Sequence, residues 1–243
     1  MIKKVVNFRI LIQIIFLGFM IFSVTILERS ISRLIVLSVT FLIGSYHCGW
    51  VCPFGTIQEY MSKIRKKFIR KTYNVPEKID KILSPIRYIP LFISVILITD
   101  VLNARKIMFS LLRGKQIAII SLVVLIIFLI FSLFIDRPFC RWFCVDGARY
   151  GLLSFGRILT IKRDNEKCVN CQKCDKSCPM EIKVSRHNEI LNPKCINCLS
   201  CIAECPERKT LSIGIRSFSG KYSLISFFGA LVFGIWILTR LLK

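Results

Sequence analysis

Long apolar runs alternate with short polar or basic segments along most of the chain. The runs cover residues 8–27, 34–47, 86–102, 117–135 and 222–242. A helix needs about 20 predominantly apolar residues to cross a bilayer, so the pattern predicts about five spans, of which the second either crosses or re-enters. The predicted fold class is an α-helical polytopic membrane protein that carries a small α+β module between the fourth and fifth spans.

Composition supports a membrane location. Hydrophobic residues make up 54% of the 243, and the net charge is +22. The basic residues lie between the apolar runs and are not gathered in one module, which argues against a nucleic-acid partner. With the N-terminus inside, 28 of the 36 Lys and Arg residues fall on the inner side, at 1–9, 48–87 and 136–221. The positive-inside rule therefore places the module on the cytoplasmic side of the cell (inner) membrane.

Eight of the twelve cysteines form two copies of one run. Each copy has the spacing C-x2-C-x2-C-x3-C-P, and together they contain Cys168, Cys171, Cys174, Cys178, Cys195, Cys198, Cys201 and Cys205. This spacing resembles that of two-cluster bacterial ferredoxins, and the resemblance covers residues 160–213. In that arrangement three thiolates of a run hold one cluster and the fourth ligates the other.

The resemblance implies two [4Fe–4S] clusters with crossed ligands. One is assigned to Cys168, Cys171, Cys174 and Cys205, and the other to Cys195, Cys198, Cys201 and Cys178. Zinc is the first alternative, but a zinc site closes with four ligands and does not use a triplet followed by C-x3-C-P. Disulfides are the second alternative, but they require an oxidising compartment, which the cytoplasmic placement of the module contradicts.

The sequence argues against other redox cofactors. It has two histidines, His47 and His187, which argues against a bis-histidine haem. It contains neither C-x-x-C-H for covalent haem nor G-x-G-x-x-G for a dinucleotide. Iron–sulfur centres are therefore the expected redox groups.

The other four cysteines form a second repeated unit, C-x-W-x-C-x-x-G. It holds Cys48 and Cys52 in one copy and Cys140 and Cys144 in the other. Positions i and i+4 share one face of a helical turn, so each pair can offer two sulfurs to one iron or iron–sulfur centre. Buried thiols that pack as small apolar side chains are the alternative. Trp50 and Trp142 are interpreted as anchors at a membrane interface.

These motifs resemble those of the NapH-type and NosR-type membrane-bound ferredoxins of anaerobic respiration. The family has paired C-x3-C-P motifs and a two-cluster ferredoxin module. Here Cys48 and Cys52 are followed by Pro53, whereas Val145 stands where the family has the second proline. The resemblance implies an electron-transfer subunit, not a self-contained enzyme. It would work between a quinol pool or a cytoplasmic donor and a membrane or extracytoplasmic reductase.

Three domains and several partners are expected. The domains are a membrane part at 1–159, the ferredoxin module at 160–213 and a final helix at 214–243. Basic residues of the module suit an acidic donor such as a ferredoxin or flavodoxin, or anionic lipid. A quinone role is considered for His47, Glu28, Asp100 or Asp136. A maturation factor that reduces a metal or cofactor, and an iron–sulfur redox sensor, are the alternative functions.

Overall fold

The computed structural model describes residues 8–9, 11–15, 39–68, 75–97, 107, 110, 119–207, 209–217, 227–229, 231–232 and 235. The main helices are α1 (Tyr46–Trp50), α2 (Pro53–Phe68), α3 (Glu77–Leu83), α4 (Tyr88–Leu97), α5 (Ile119–Phe131), α6 (Pro138–Trp142), α7 (Val145–Leu153), α8 (Lys173–Lys176) and α9 (Ser200–Ala203). Two strands, β1 (Leu159–Arg163) and β2 (Leu211–Ile215), form an antiparallel pair. Short 3-10 helices cover Ser84–Arg87, Ser154–Gly156 and Val184–Arg186.

The chain divides into two compact units. The first contains Met1–Ile14, Ile26–Trp50 and Tyr150–Lys243, and the second contains Ile15–Thr25 and Val51–Arg149. The predicted domain limits at 159 and 213 stay predictions.

The expectation of about five membrane spans is wrong for the part of the chain that the structure describes. No helix there is both long enough and apolar enough to cross a membrane. The fourth predicted span contains α5, whose 13 residues rise only about 20 Å at 1.5 Å per residue. The third contains the ten residues of α4. Most of the first span, residues 34–38 of the second, residues 98–102 of the third and most of the fifth lie outside the described residues.

Helix α5 ends early because its last turn is closed by local hydrogen bonds. The Ser132 hydroxyl and the Ser132 amide both donate to the Phe128 carbonyl, at 2.8 and 3.0 Å. The Leu133 amide donates to the Ile130 carbonyl at 3.0 Å, which tightens the chain. A few residues later Arg137 takes a left-handed backbone with φ of 49°, and Pro138 then opens α6. A left-handed residue interrupts helical geometry, and proline is common at the first position of the next helix.

An aromatic core and three buried ion pairs hold the second unit together. Phe139 meets Phe54 edge-on at 5.1 Å and Phe128 at 5.4 Å between ring centroids. Guanidinium groups donate to carboxylates in the pairs Arg65–Asp136 at 2.6 Å, Arg137–Glu59 at 2.5 Å and Arg141–Asp80 at 2.5 Å. The first two pairs join α2 to the segment before α6, and the third joins α3 to α6.

In the first unit, the strand pair closes the cysteine-rich segment on itself. Leu159 pairs with Ile215 and Arg163 pairs with Leu211, so the two ends of the segment between them lie side by side. The core under the strands is small and apolar, and several cysteines belong to it. Its buried members are Ile161, Met180, Ile182, Val184, Ile190, Cys195, Ile196, Cys198, Cys201, Ile202 and Leu211. The module therefore folds around its cysteines.

Candidate metal centre

The cysteine-rich segment contains two cavities, each lined by four cysteines. The first, which we name the outer site, is lined by Cys168, Cys171, Cys174 and Cys205. The second, the inner site, is lined by Cys178, Cys195, Cys198 and Cys201. With the solvent space at their openings included, the two cavities measure about 370 and 360 Å³. The structure thus brings together three cysteines of one run and the fourth of the other.

Left-handed backbone positions bend both runs around their cavities. Asn170 and Gln172 have φ of 51° and 55°, and the equivalent Asn197 and Leu199 have φ of 47° and 61°. Each pair alternates with cysteines, so the loop turns twice before a short helix begins at α8 or α9. Asparagine tolerates this conformation better than most residues do. The same loop geometry is therefore built twice.

The two sites differ sharply in exposure. Cys171 of the outer site is exposed, and its neighbour Val169 is 61% exposed. The inner cysteines 195, 198 and 201 are each no more than 8% exposed. N-terminal residues cover them: Arg9 donates to the Cys198 carbonyl at 2.9 Å, and Trp50 Nε1 donates to the Asn197 carbonyl at 2.9 Å. A repeated motif therefore lies in two unlike environments.

The donor sets fit iron–sulfur clusters. All twelve cysteines are free thiols, and thiolates are the ligands that such clusters use. Burial raises the pKa of Cys178 to about 12 and, with help from Asp175, that of Cys174 to about 11. Burial likewise raises the pKa of Cys201. Such thiols keep their protons until a metal replaces them, so cluster binding would release protons here.

Nitrogen donors already point at some of the cysteine sulfurs. The Ile182 amide donates to Cys178 Sγ at 3.4 Å in the inner site. Arg163 Nη1 donates to Cys168 Sγ at 3.5 Å in the outer site. Hydrogen bonds to the sulfurs are one of the factors that set a cluster's reduction potential. Within the described residues, no three His, Cys, Asp or Glu side chains lie close enough together to hold a single metal ion.

The second repeated unit also folds the same way twice. In each copy a five-residue helix ends at the tryptophan, at Trp50 in α1 and at Trp142 in α6. The second cysteine then directly precedes a longer helix, Cys52 before α2 and Cys144 before α7. Each pair therefore straddles two helices, whereas the sequence suggested one continuous turn. The positive end of a helix dipole favours a thiolate at this position.

The four cysteines of these pairs fall in different units. Cys48 packs against the core of the ferredoxin part. Cys52 and Cys144 pack against the aromatic core of the second unit. Burial raises the pKa of Cys140 to about 12, with Arg137 opposing the shift and Cys52 adding to it, so these two cysteines interact. Cys52, Cys140 and Cys144 thus belong to the second unit, whereas Cys48 belongs to the first.

Other candidate residues have contacts inside the protein. Both indole N–H groups are bonded, with Trp142 Nε1 donating to Asp80 at 3.1 Å, so neither tryptophan has a free N–H for an interface. Asp136 is ion-paired with Arg65. His47 is buried, with its ring 5.5 Å from that of Tyr150. Glu28 and Asp100 lie outside the described residues.

Two arginines beside the cysteines are not marked by either cysteine motif. Arg157 is fully buried beside Cys195, and Arg163 contacts Cys168, the equivalent cysteine of the other run. Each lies outside its cysteine run, so motif spacing does not reveal it. The asparagine shared by C-V-N-C and C-I-N-C was a usable signal for the left-handed loop positions.

Comparison with known families agrees with both motifs. A family model described as a 4Fe-4S binding domain matches residues 25–72 and 117–160, so each match contains one C-x-W-x-C pair. A second model, described as a 4Fe-4S dicluster domain, matches residues 160–206. The chain therefore carries two [4Fe–4S] clusters. No solved structure matches the chain.

Several relatives share much of the chain. An uncharacterized protein of Methanocaldococcus jannaschii is 34% identical over 161 residues, which cover 64% of this chain and 67% of the relative. The putative electron transport protein YccM of Escherichia coli is 28% identical, over 61% of this chain and 45% of its own. The ferredoxin-type protein NapH of Escherichia coli is 28% identical, over 54% and 46%. The chain thus spans about half the length of the latter two.

Fold and site together define an iron–sulfur electron-transfer protein with a two-cluster, ferredoxin-type module. The relatives, which also include NosR of Pseudomonas aeruginosa, narrow the class further. The chain belongs to the NapH/NosR-type family of 4Fe–4S proteins.

Proposed function

We propose that this protein is a membrane-associated electron-transfer subunit that links an acidic soluble donor protein to a reductase partner. The outer and inner sites each hold one [4Fe–4S] cluster through the four cysteines that line them. The clusters supply one-electron transfer when bound. The observation that carries the proposal is the pair of cavities, each lined by three cysteines of one run and one of the other.

The exposed edge of the outer site is the proposed docking face for the donor. Cys171 and Val169 are exposed there, and the neighbouring helix α8 presents Lys173 and Lys176 to solvent. A positive rim attracts an acidic carrier such as a ferredoxin or flavodoxin and raises its association rate. The inner site, by contrast, is covered by the protein and offers a donor no direct access.

Exposed apolar side chains support an association with lipid. On α5, Ile119, Ile130 and Phe131 are 80%, 54% and 48% exposed. A helix with apolar side chains turned outward meets either another protein or lipid. The free state of all twelve cysteines suits a reducing compartment, so the ferredoxin part faces the cytoplasm in this proposal. Fractionation of membranes tests the association with lipid. Release of the protein by salt alone would contradict burial of these side chains in lipid.

The C-x-W-x-C pairs are the proposed ligands of a third iron–sulfur centre. The same 4Fe-4S family model matches around each pair, and Cys52 interacts with Cys140 in one unit. Quinone use stays a prediction, with His47 as the residue to substitute. If His47 serves quinone chemistry, His47→Gln should change the rate of quinol oxidation while the iron content stays full.

The main experiment measures cluster loading and electron acceptance together. Anaerobically purified protein should contain about eight irons in the ferredoxin part, and reduced ferredoxin or flavodoxin should reduce it reversibly. Replacement of Lys173 and Lys176 by Glu should slow that reduction and weaken its salt dependence, because the change removes the attraction without touching a cysteine.

A matched control uses basic residues elsewhere on the surface. Lys78 and Lys81 lie on α3 in the second unit, so their replacement by Glu should leave the reduction rate unchanged. Equal slowing by both double variants contradicts docking at the outer site. Loss of clusters coupled to release of a partner, without turnover, favours the redox sensor. Reduction of a metal or cofactor that a client enzyme then retains favours the maturation factor.

A further inference from the structure

We propose that Arg157 tunes the inner site: its buried guanidinium raises the reduction potential of the cluster held there. This inference rests on the proposed function, since it requires a cluster at Cys178, Cys195, Cys198 and Cys201. It concerns a residue outside both cysteine runs.

Burial beside an inner-site cysteine leaves the positive charge of Arg157 little screened by solvent. The side chain is completely buried and lies against Cys195. One terminal nitrogen donates to the Ile190 carbonyl, whereas Nε and Nη1 find no oxygen or nitrogen acceptor among the described residues. A buried guanidinium remains charged and requires a counter-charge nearby. Thiolate ligands at the inner site supply that negative charge.

Two further buried arginines lie near the inner site. Arg9 is 2% exposed and donates to the Cys198 carbonyl. Arg216 is 5% exposed and interacts with Arg157, and Glu189 is the carboxylate that acts on both. A positive charge held near the cluster favours the reduced cluster, which carries one more negative charge, over the oxidised one.

The Arg157 side chain passes close to Gly44. A Cβ at this glycine would lie 3.1 Å from Arg157 Cδ and 3.1 Å from Asn197 Nδ2. Its φ of 92° also disfavours other residues. A glycine on a separate segment therefore leaves room for the Arg157 side chain.

The outer site provides an internal comparison. Arg163 Nη1 contacts Cys168 Sγ at 3.5 Å, and its Nη2 donates to Asn188 at 3.4 Å in an exposed contact. Solvent and salt screen a charge in such a place, whereas a buried charge is screened much less. The two arginines occupy equivalent relations to Cys195 and Cys168, but only Arg157 acts through a water-excluded interior.

The test measures the midpoint potential of each cluster by redox titration with electron paramagnetic resonance. Arg157→Met should lower the inner midpoint and leave the outer midpoint unchanged. Arg163→Met should shift only the outer midpoint, by less, and added salt should shrink the Arg163 effect but not the Arg157 effect. The Cys205→Ala background removes the outer cluster and so identifies the inner signal.

A conservative variant separates charge from packing. Arg157→Lys keeps the positive charge and should restore most of the inner midpoint, even if Arg157→Met fails to retain the inner cluster. Loss of the cluster from both variants, or an equal drop in both, shows that shape and not charge matters and overturns the inference. An unchanged midpoint in Arg157→Met with full iron content overturns it as well. Iron well below about eight in the unaltered protein refutes the proposed function instead.

Discussion

Single residues decide how the two cysteine runs close around their cavities. Asn170 and Asn197 take left-handed backbone conformations at equivalent positions, which lets the chain place a cysteine on either side of each. The fourth cysteine of each run leaves the loop and lines the other cavity. Ligand crossing therefore depends on two cysteines, Cys178 and Cys205.

The first prediction concerns that crossing. Cys178→Ala should remove the inner cluster, held otherwise by Cys195, Cys198 and Cys201, because one of its four thiolates is lost. The outer cluster should remain, so iron should fall from about eight to about four per ferredoxin part. Iron analysis and electron paramagnetic resonance measure the loss. Cys205→Ala is the matched variant and should remove the outer cluster instead. If Cys178→Ala removes the outer signal, the assignment is wrong.

At the scale of elements, helix α3 is held to α6 by one buried carboxylate. Asp80 accepts hydrogen bonds from Arg141 at 2.5 Å and from Trp142 Nε1 at 3.1 Å. The Arg141 side chain has no exposed surface. Arg141 and Trp142 both lie on α6, the short helix that also carries Cys140.

The second prediction compares two acids on α3. Asp80→Ala should lower the free energy of unfolding by about 3–5 kcal/mol, because it leaves the Arg141 charge buried without this carboxylate. Glu77→Ala should change it by less than about 1 kcal/mol, since the Glu77–Lys81 pair is exposed. Denaturant titration of the whole protein gives both values. Similar losses for the two variants would mean that Asp80 does not hold α3 to α6.

Helix α1 approaches the inner site through a glycine. A Cβ at Gly49 would lie 2.5 Å from the Ile196 carbonyl oxygen and 3.6 Å from Cys198 Cβ. Backbone atoms cannot yield to such a contact as a flexible side chain can. Trp50, the next residue, donates its indole N–H to the Asn197 carbonyl.

The third prediction follows from this approach. Gly49→Ala should reduce stability by about 1–3 kcal/mol, a common cost of forced overpacking. It should also lower loading of the inner cluster while sparing the outer one. Gly229→Ala is the control, because no described atom lies within 4 Å of its Cβ position. Thermal unfolding and iron analysis measure both effects. A stable, fully loaded Gly49→Ala protein contradicts the contact.

At the scale of the whole molecule, two cysteine systems serve one chain. The ferredoxin-type sites account for eight cysteines, and the C-x-W-x-C pairs account for the other four. Both copies of the pair share the same break between a short helix and a longer one. Packing of buried thiols does not by itself require such duplication.

The fourth prediction tests the third centre. Anaerobic protein should contain about ten to twelve irons per chain, above the eight of two [4Fe–4S] clusters. Replacement of Cys52 and Cys144 by Ser should remove only the excess and leave the two ferredoxin-type signals unchanged. Iron that stays near eight in the unaltered protein, with spectra identical in the double variant, would establish these cysteines as packing residues.

Local sequence alone determined the chemistry of the cysteine-rich segment. Ligand type and two-residue spacing are properties of a short stretch, and a loop with those gaps suits an iron–sulfur cluster wherever it occurs. The pairing of Cys48 with Cys52 and of Cys140 with Cys144 was visible for the same reason. The family resemblance was confirmed by the 4Fe-4S family models and by the relatives NapH and NosR.

Only the tertiary structure decided how the two equivalent runs differ. Distant segments carry Arg9, Trp50 and Arg157 to the second run, and nothing in the spacing of the cysteines encodes their arrival. Hydropathy also misjudged α5, because an apolar run predicts where a helix is apolar and not where local hydrogen bonds end it. Burial and the placement of charged side chains depend on contacts between residues far apart in sequence, so the folded chain determines them.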